Sequence, residues 1–159
     1  MILDPTLLSE ILIDGPLAQE TADAVKSISL SGIRVTPTTV GLGEIIRYAI
    51  FLGKVRPYLF RLEGVRQEMQ ALISNMLITS QTARIGESDP TIMLEAYQLS
   101  FSSNLNYSLA HLAATSSKLR ESALCSRTTI AILGECPALK VSILKDYGSD
   151  LAEISIRIE

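Results

Sequence analysis

The sequence predicts a mainly helical fold, a helical hairpin or bundle followed by a small C-terminal antiparallel β meander. Apolar residues recur at helical spacing from about residue 44 to residue 124. Strict apolar–polar alternation appears only near the C-terminus, in "ALKVSILKD" and "AEISIRIE". We therefore expect a helical domain over residues 1–125, with the hairpin at about 44–124, and a small C-terminal element with strands over 126–159.

Two short helices are predicted at the N-terminus, within residues 1–31. Asp4-Pro5 and Gly15-Pro16 are typical of helix starts, because proline is favoured at the first helical position. The segment "SGIRVTPTTVGLG" that follows is rich in glycine, proline and threonine, which indicates a loop before the hairpin.

The predicted hairpin turns at "RIGESDP". Gly86 suits the end of the first arm, and either Ser88 or Asp89 can cap the second, with Pro90 at its first position. The second arm carries one apolar stripe with spacings of three, four or seven residues, formed by Leu94, Tyr97, Phe101, Leu105, Leu109, Leu112, Leu119 and Ala123.

The C-terminal element has two interpretations. In the first, the β-branched run "TTIAIL" and the two alternating segments form an antiparallel meander, separated by the turn-like "GECP" and "YGSD". In the second, a helix follows Pro137. The apolar periods leave both open.

The second arm is unusual because it has no charged face. From Ala96 to Ser117 there is no Asp, Glu, Lys or Arg, whereas a helix on a domain surface normally carries charge on its outer side. Either this helix is buried in its own fold, or its surface meets other subunits, since interface cores are depleted of charge. In the second case the predicted subunit interface consists of Tyr97, Ser100, Phe101, Ser103, Asn104, Tyr107 and Ser108.

Composition favours assembly. Hydrophobic residues make up 47% of the 159 residues and charged residues only 19%, below the roughly 25% typical of globular domains. Such a chain has more apolar surface than a small monomer hides easily. A net charge of −3 argues against nucleic acid as the main partner, because phosphate binding depends on clustered Lys and Arg.

Few residues point to catalysis, and we expect no enzyme activity, no cofactor and no metal site. His111 is the only histidine, and its apolar neighbours suggest a core residue. Cys125 and Cys136 match no zinc or redox spacing. An enzyme would need His111 or Cys125 in a cleft.

The sequence predicts neither a cleavable signal peptide nor a transmembrane helix. The segment "MILDPTLLSEILIDGP" lacks the basic start of a cleavable signal peptide, and no uncharged run is apolar enough to predict a transmembrane helix. This leaves the location open between the cytoplasm, a virion and export without a cleaved signal.

The stretch "SDPTIMLEAYQLSFSSNLNY" resembles the loop and second helix of type III secretion needle proteins, and inner-rod proteins of the same systems have a similar terminal helix. The shared features are Ser88, Asp89, Pro90, Leu94, Ala96, Tyr97, Gln98 and Tyr107. The resemblance implies a helical hairpin that polymerises into a hollow tube, although needle subunits are about half as long as this chain.

These observations predict a non-enzymatic structural subunit that self-assembles into a filament, tube, shell or ring through an uncharged helical surface. The alternative is a small helical adaptor or accessory subunit that uses the same surface toward a different protein.

Overall fold

The computed structural model of the protein describes residues 1–13, 15–55 and 89–159. The described elements are, in chain order, β1 (Ile2–Leu3), α1 (Pro5–Ile13), α2 (Ala18–Leu30), α3 (Thr39–Val55), α4 (Pro90–Ser103), α5 (Tyr107–Leu119), β2 (Ala123–Ser126), α6 (Arg127–Gly134), β3 (Leu139–Tyr147) and β4 (Leu151–Ile158). The two predicted N-terminal helices are confirmed. The first hairpin arm beyond residue 55 and its turn at Gly86 lie outside the described residues.

The four described strands form one mixed sheet in the order β1-β2-β4-β3. β1 runs parallel to β2, with Ile2 opposite Ala123, whereas β4 is antiparallel to both β2 and β3. The prediction of a mainly α fold with only a small C-terminal meander is therefore wrong, and the described part is an α+β fold. The sequence does not predict β1 and β2, because these strands have only two and four residues, all of them buried. Such short segments show no apolar–polar period.

Helices cover both faces of this sheet. Side chains alternate along each strand, so that Ile2, Cys125 and Ile154 join a core with α4, α5 and α6. Leu3, Leu124 and Leu151 point the other way, into a second core with α1, α2 and α3. The sheet thus takes residues from both sides of the boundary predicted at 125/126.

The predicted second arm is two helices rather than one. α4 ends at Asn104, whose φ of 53° is left-handed, and Asn106 caps α5 by accepting from the Ser108 N–H at 2.8 Å. Ser100 Oγ donates to the Leu105 carbonyl at 2.7 Å and closes the turn between the helices. α4 and α5 therefore pack against each other as a short hairpin of their own.

The left-handed residue at this turn gives a first testable prediction. Asn104→Val should lower the free energy of unfolding by about 1–2 kcal/mol, because a β-branched residue is strained at positive φ. Asn104→Gly should preserve or raise stability. Urea denaturation of both variants checks this, and equal losses in the two would show that the Asn104 side chain matters rather than its backbone conformation.

The run "TTIAIL" lies in α6 and not in a strand, so the predicted meander is wrong there. Ser126 caps this helix, because its Oγ accepts from the Thr129 N–H at 3.1 Å. This cap and the burial of Leu133 in the core override the strand preference of threonine and isoleucine. The rival interpretation, a helix after Pro137, is also wrong, since β3 begins at Leu139.

Asp4 connects three elements near the N-terminus. Its carboxylate accepts from the Thr6 N–H at 2.8 Å at the start of α1, and from the Ser126 N–H at 3.3 Å at the start of α6. The Asp4 N–H donates to the Leu124 carbonyl of β2 at 3.0 Å. Asp4 is completely buried, so one carboxylate inside the protein serves the starts of two helices.

Candidate interaction surface

α4 exposes four large apolar side chains on the side opposite its core contacts. Met93, Leu94, Tyr97 and Phe101 are 47, 57, 60 and 83% exposed, and their spacings of three, four and seven residues place them on one helix face. Among the side chains whose exposure the structure describes, no other helix shows as many. We refer to these four residues as the α4 apolar face.

The chemistry of this face is uniform. The rings of Tyr97 and Phe101 are stacked, with centroids 6.3 Å apart and an interplanar angle of 17°. The only charged residue of α4 is Glu95, which is half-buried on the flank of the helix. Aromatic residues and methionine are enriched at the centres of protein interfaces and charge is depleted there, so this composition is typical of a protein-binding surface.

The residues predicted as an interface separate into two groups. Three of them are exposed, and these are Tyr97, Phe101 and Asn104. The others lie in or next to the turn between α4 and α5. Ser100 bonds the Leu105 carbonyl, and Ser103 Oγ lies 3.1 Å from the Cys136 thiol.

Tyr107 is partly buried, with its ring 6.2 Å from the ring of His111. Ser108 is buried and donates to Asn106 Oδ1 at 2.9 Å. The structure therefore brings Tyr97 and Phe101 together on one face, and places Tyr107 and Ser108 at the start of the next helix.

The interface predicted from the sequence omits Met93, and the predicted apolar stripe includes Leu94. The exposure of that stripe changes where α4 ends. Leu94, Tyr97 and Phe101 are exposed, whereas Leu105 and Leu109 are buried. The i, i+4 spacing of Met93 and Tyr97 was the available signal.

The charge-free run is explained by burial in its second half. Every residue from Ser108 to Ser116 is buried, because α5 packs between α4 and β4 and also contacts α3. The first half, in α4, keeps its outer face exposed. Burial within its own fold therefore accounts for the run in α5, and a contact with other subunits stays a prediction for α4.

A second exposed apolar site lies on β3, where Ile143 and Leu144 are 51 and 56% exposed. β3 is an edge strand, but its register shifts between Ile143 and Lys145, and the side chains of Lys140 and Lys145 are exposed. Bulges and lysines are the usual devices that prevent an edge strand from pairing with another chain. We therefore regard the α4 apolar face as the stronger candidate.

The two candidate catalytic residues are both buried. His111 is 2% exposed, and its Nδ1 lies 3.5 Å from Thr115 Oγ1 one turn along the same helix. Burial, and then the nearby charge of Asp4, raise the pKa of the Cys125 thiol well above its usual range. The thiol is therefore protonated at neutral pH, and a protonated thiol is a poor nucleophile. Cys125 and Cys136 are both free and buried.

Within the described ranges, no group of three or more His, Cys, Asp or Glu side chains is arranged to hold a metal ion. None of the described helices combines the length and apolar character needed to cross a bilayer.

The fold and this surface define a small α+β protein with an exposed apolar helix face. No protein-family model, curated protein or solved structure matches the chain. The resemblance to type III secretion needle and inner-rod proteins stays a prediction.

Proposed function

We propose that this protein is a structural subunit that self-associates, and that the α4 apolar face is the contact between copies. The observation that carries the proposal is the exposure of Met93, Leu94, Tyr97 and Phe101 on one nearly uncharged helix face.

The energetics favour a reversible contact. Each large apolar side chain contributes about 1.5–3 kcal/mol when it is fully buried, and association costs on the order of 4–15 kcal/mol in lost freedom of motion. Because part of each side chain is already covered within one subunit, the net free energy of association is modest. We therefore expect association that depends on protein concentration.

The geometry of the contact decides the size of the assembly. A face that meets the same face of a second copy gives a closed dimer, whereas a face that meets a different surface of the next copy continues into a ring or a filament. α4 has 14 residues and is about 21 Å long, which is sufficient for two helices to pack side by side.

Light scattering coupled to size-exclusion chromatography, over a concentration series, tests the proposal. The wild-type chain should give a mass that rises above 17.3 kDa with concentration. Phe101→Glu should raise the dissociation constant at least about tenfold, because it places a charge within an apolar contact.

The matched control is Ser27→Glu, which adds the same charge to an exposed residue of α2, a different helix from the one that carries the α4 apolar face. It should leave association unchanged. A wild-type chain that stays monomeric at every concentration would exclude self-association and leave the adaptor hypothesis. Equal effects of the two substitutions would mean that net charge, and not this face, controls association.

A further inference from the structure

A cavity of about 740 Å³ lies between the end of α5 and the last residues of β4. β2 begins at Ala123, opposite Ile154, so β4 continues beyond it from Ser155 to Ile158. The Ile158 N–H on this open edge donates to Ser117 Oγ at 3.1 Å. Alternate residues of a strand direct their N–H groups to the same edge, so the Ile156 N–H also points there. We refer to this space as the basic cavity.

Two arginines, Arg120 and Arg157, line the basic cavity together with four serines, Ser116, Ser117, Ser122 and Ser155. Arg157 stands directly opposite Lys140 on the neighbouring strand, and like charges in that position repel each other. In the described part of the chain, no carboxylate lies within salt-bridge distance of Arg120, Arg157 or Lys140. Among the described residues, the two arginines of the cavity thus have no carboxylate partner.

One carboxylate lines the same cavity, that of Glu121. It lies 3.5 Å from the Met1 ammonium group, which offsets its charge. The Arg120 and Glu121 N–H groups both donate to the Ser116 carbonyl at the end of α5. The two groups that would repel an anion here are the Glu121 carboxylate and the Ser116 carbonyl, and both are paired within the protein.

We propose that the basic cavity binds a small phosphomonoester. Arginine presents a planar fork of donors that matches a phosphate group, and serine hydroxyls add further donors. The volume is within the range of small-molecule sites and exceeds what inorganic phosphate fills. Leu144, placed at the β3 bulge, and Ile158 add apolar wall against which the organic part of the ligand packs.

Arg120 has a second feature in keeping with this role. Its φ of 54° is left-handed, and glycine is the favoured residue where a helix ends in that conformation. The chain therefore carries a long cationic side chain at a position where the backbone alone would prefer glycine.

The test is an NMR titration of the full ¹⁵N-labelled chain with glycerol 3-phosphate at constant ionic strength, with glycerol as the uncharged probe. Saturable shifts are expected for the amides of Ser117, Ser122 and residues 155–158, and none with glycerol. Arg120→Gln and Arg157→Gln should each weaken binding on the order of tenfold, since each removes a hydrogen bond to a charged group.

Arg47→Gln is the matched control, because Arg47 lines a separate cavity that also contacts the start of α5, roughly 18 Å from the basic cavity. It should leave the affinity unchanged. Shifts that never saturate, equal shifts with glycerol, or equal losses in all three variants would overturn the proposal. The basic cavity uses no residue of the α4 apolar face, so each proposal can fail without the other.

Discussion

Replacing Asp4 with alanine is expected to lower the free energy of unfolding by about 3 kcal/mol or more. The substitution removes the acceptor of the Thr6 and Ser126 N–H groups. A buried donor that loses its partner costs about 1–3 kcal/mol, and the Ser126 bond is buried while the Thr6 bond is partly buried. Removing a buried charge recovers part of this, because burial is the main reason that the pKa of Asp4 is raised. Urea denaturation at neutral pH measures the balance.

The matched control is Asp89→Ala. Asp89 occupies the same Asp-Pro-Thr context at the start of α4, where it accepts from the Thr91 N–H at 2.8 Å and the Thr91 hydroxyl at 2.9 Å. Those bonds are exposed to water, which replaces the lost acceptor, so the loss should be clearly smaller. Equal losses would mean that Asp4 acts only as a helix cap and does not connect α1, β2 and α6.

The two aspartates should also give opposite pH dependences. Burial raises the pKa of Asp4 above 3.8, whereas bonds from the Thr91 N–H and then the Thr91 hydroxyl lower the pKa of Asp89 below 3.8. The contribution of Asp4 to stability therefore falls as pH rises from 3.8 through its folded pKa. The contribution of Asp89 is present above 3.8 and is lost as pH falls through its folded pKa. The free energy of unfolding of the wild type, Asp4→Asn and Asp89→Asn, measured from pH 3 to 7.5, separates the pH dependences that the two aspartates contribute.

Signals that act within a few residues made much of the fold predictable. The Asp-Pro pairs at residues 4 and 89 mark the starts of α1 and α4, and the two alternating segments form β3 and β4. These features depend on capping and on period, which a single sequence shows directly.

The remainder of the fold depends on contacts between distant residues. β1 exists because Ile2 and Leu3 lie beside Ala123 and Leu124, more than a hundred residues later, and no local pattern encodes that pairing. The division into α4 and α5 did have a local signal, since asparagine suits both a left-handed helix end and a helix cap. The apolar spacing continues from Phe101 to Leu105 on either side of Asn104, and it therefore predicts a single helix.

The candidate surface was predictable as a region but not residue by residue. A charge-free run shows that a helix avoids water on most sides, but it does not tell whether its own chain or another covers it. Only the packing of α5 beneath α4 separates the buried half from the exposed half. The predicted interface includes Ser100 and Ser103, but Ser100 bonds within the turn that follows α4 and Ser103 accepts from the Cys136 thiol.

Leu112→Ala should lower the free energy of unfolding by about 2–5 kcal/mol. Leu112 is completely buried in the core shared by α4, α5 and one face of the sheet. Truncating a core leucine loses its apolar transfer energy and also leaves a cavity. Urea denaturation at low protein concentration measures the effect without a contribution from association.

Leu94→Ala is the same substitution on the exposed side of the α4–α5 pair, where Leu94 is 57% exposed. It should change the stability of the monomer by less than about 0.5 kcal/mol and still weaken self-association, because the side chain belongs to the α4 apolar face. A large loss of monomer stability in Leu94→Ala would show that this face packs within its own chain. Because the substitution is identical in both variants, any difference between them reports the surroundings of the two leucines, a packed core for Leu112 and an exposed helix face for Leu94.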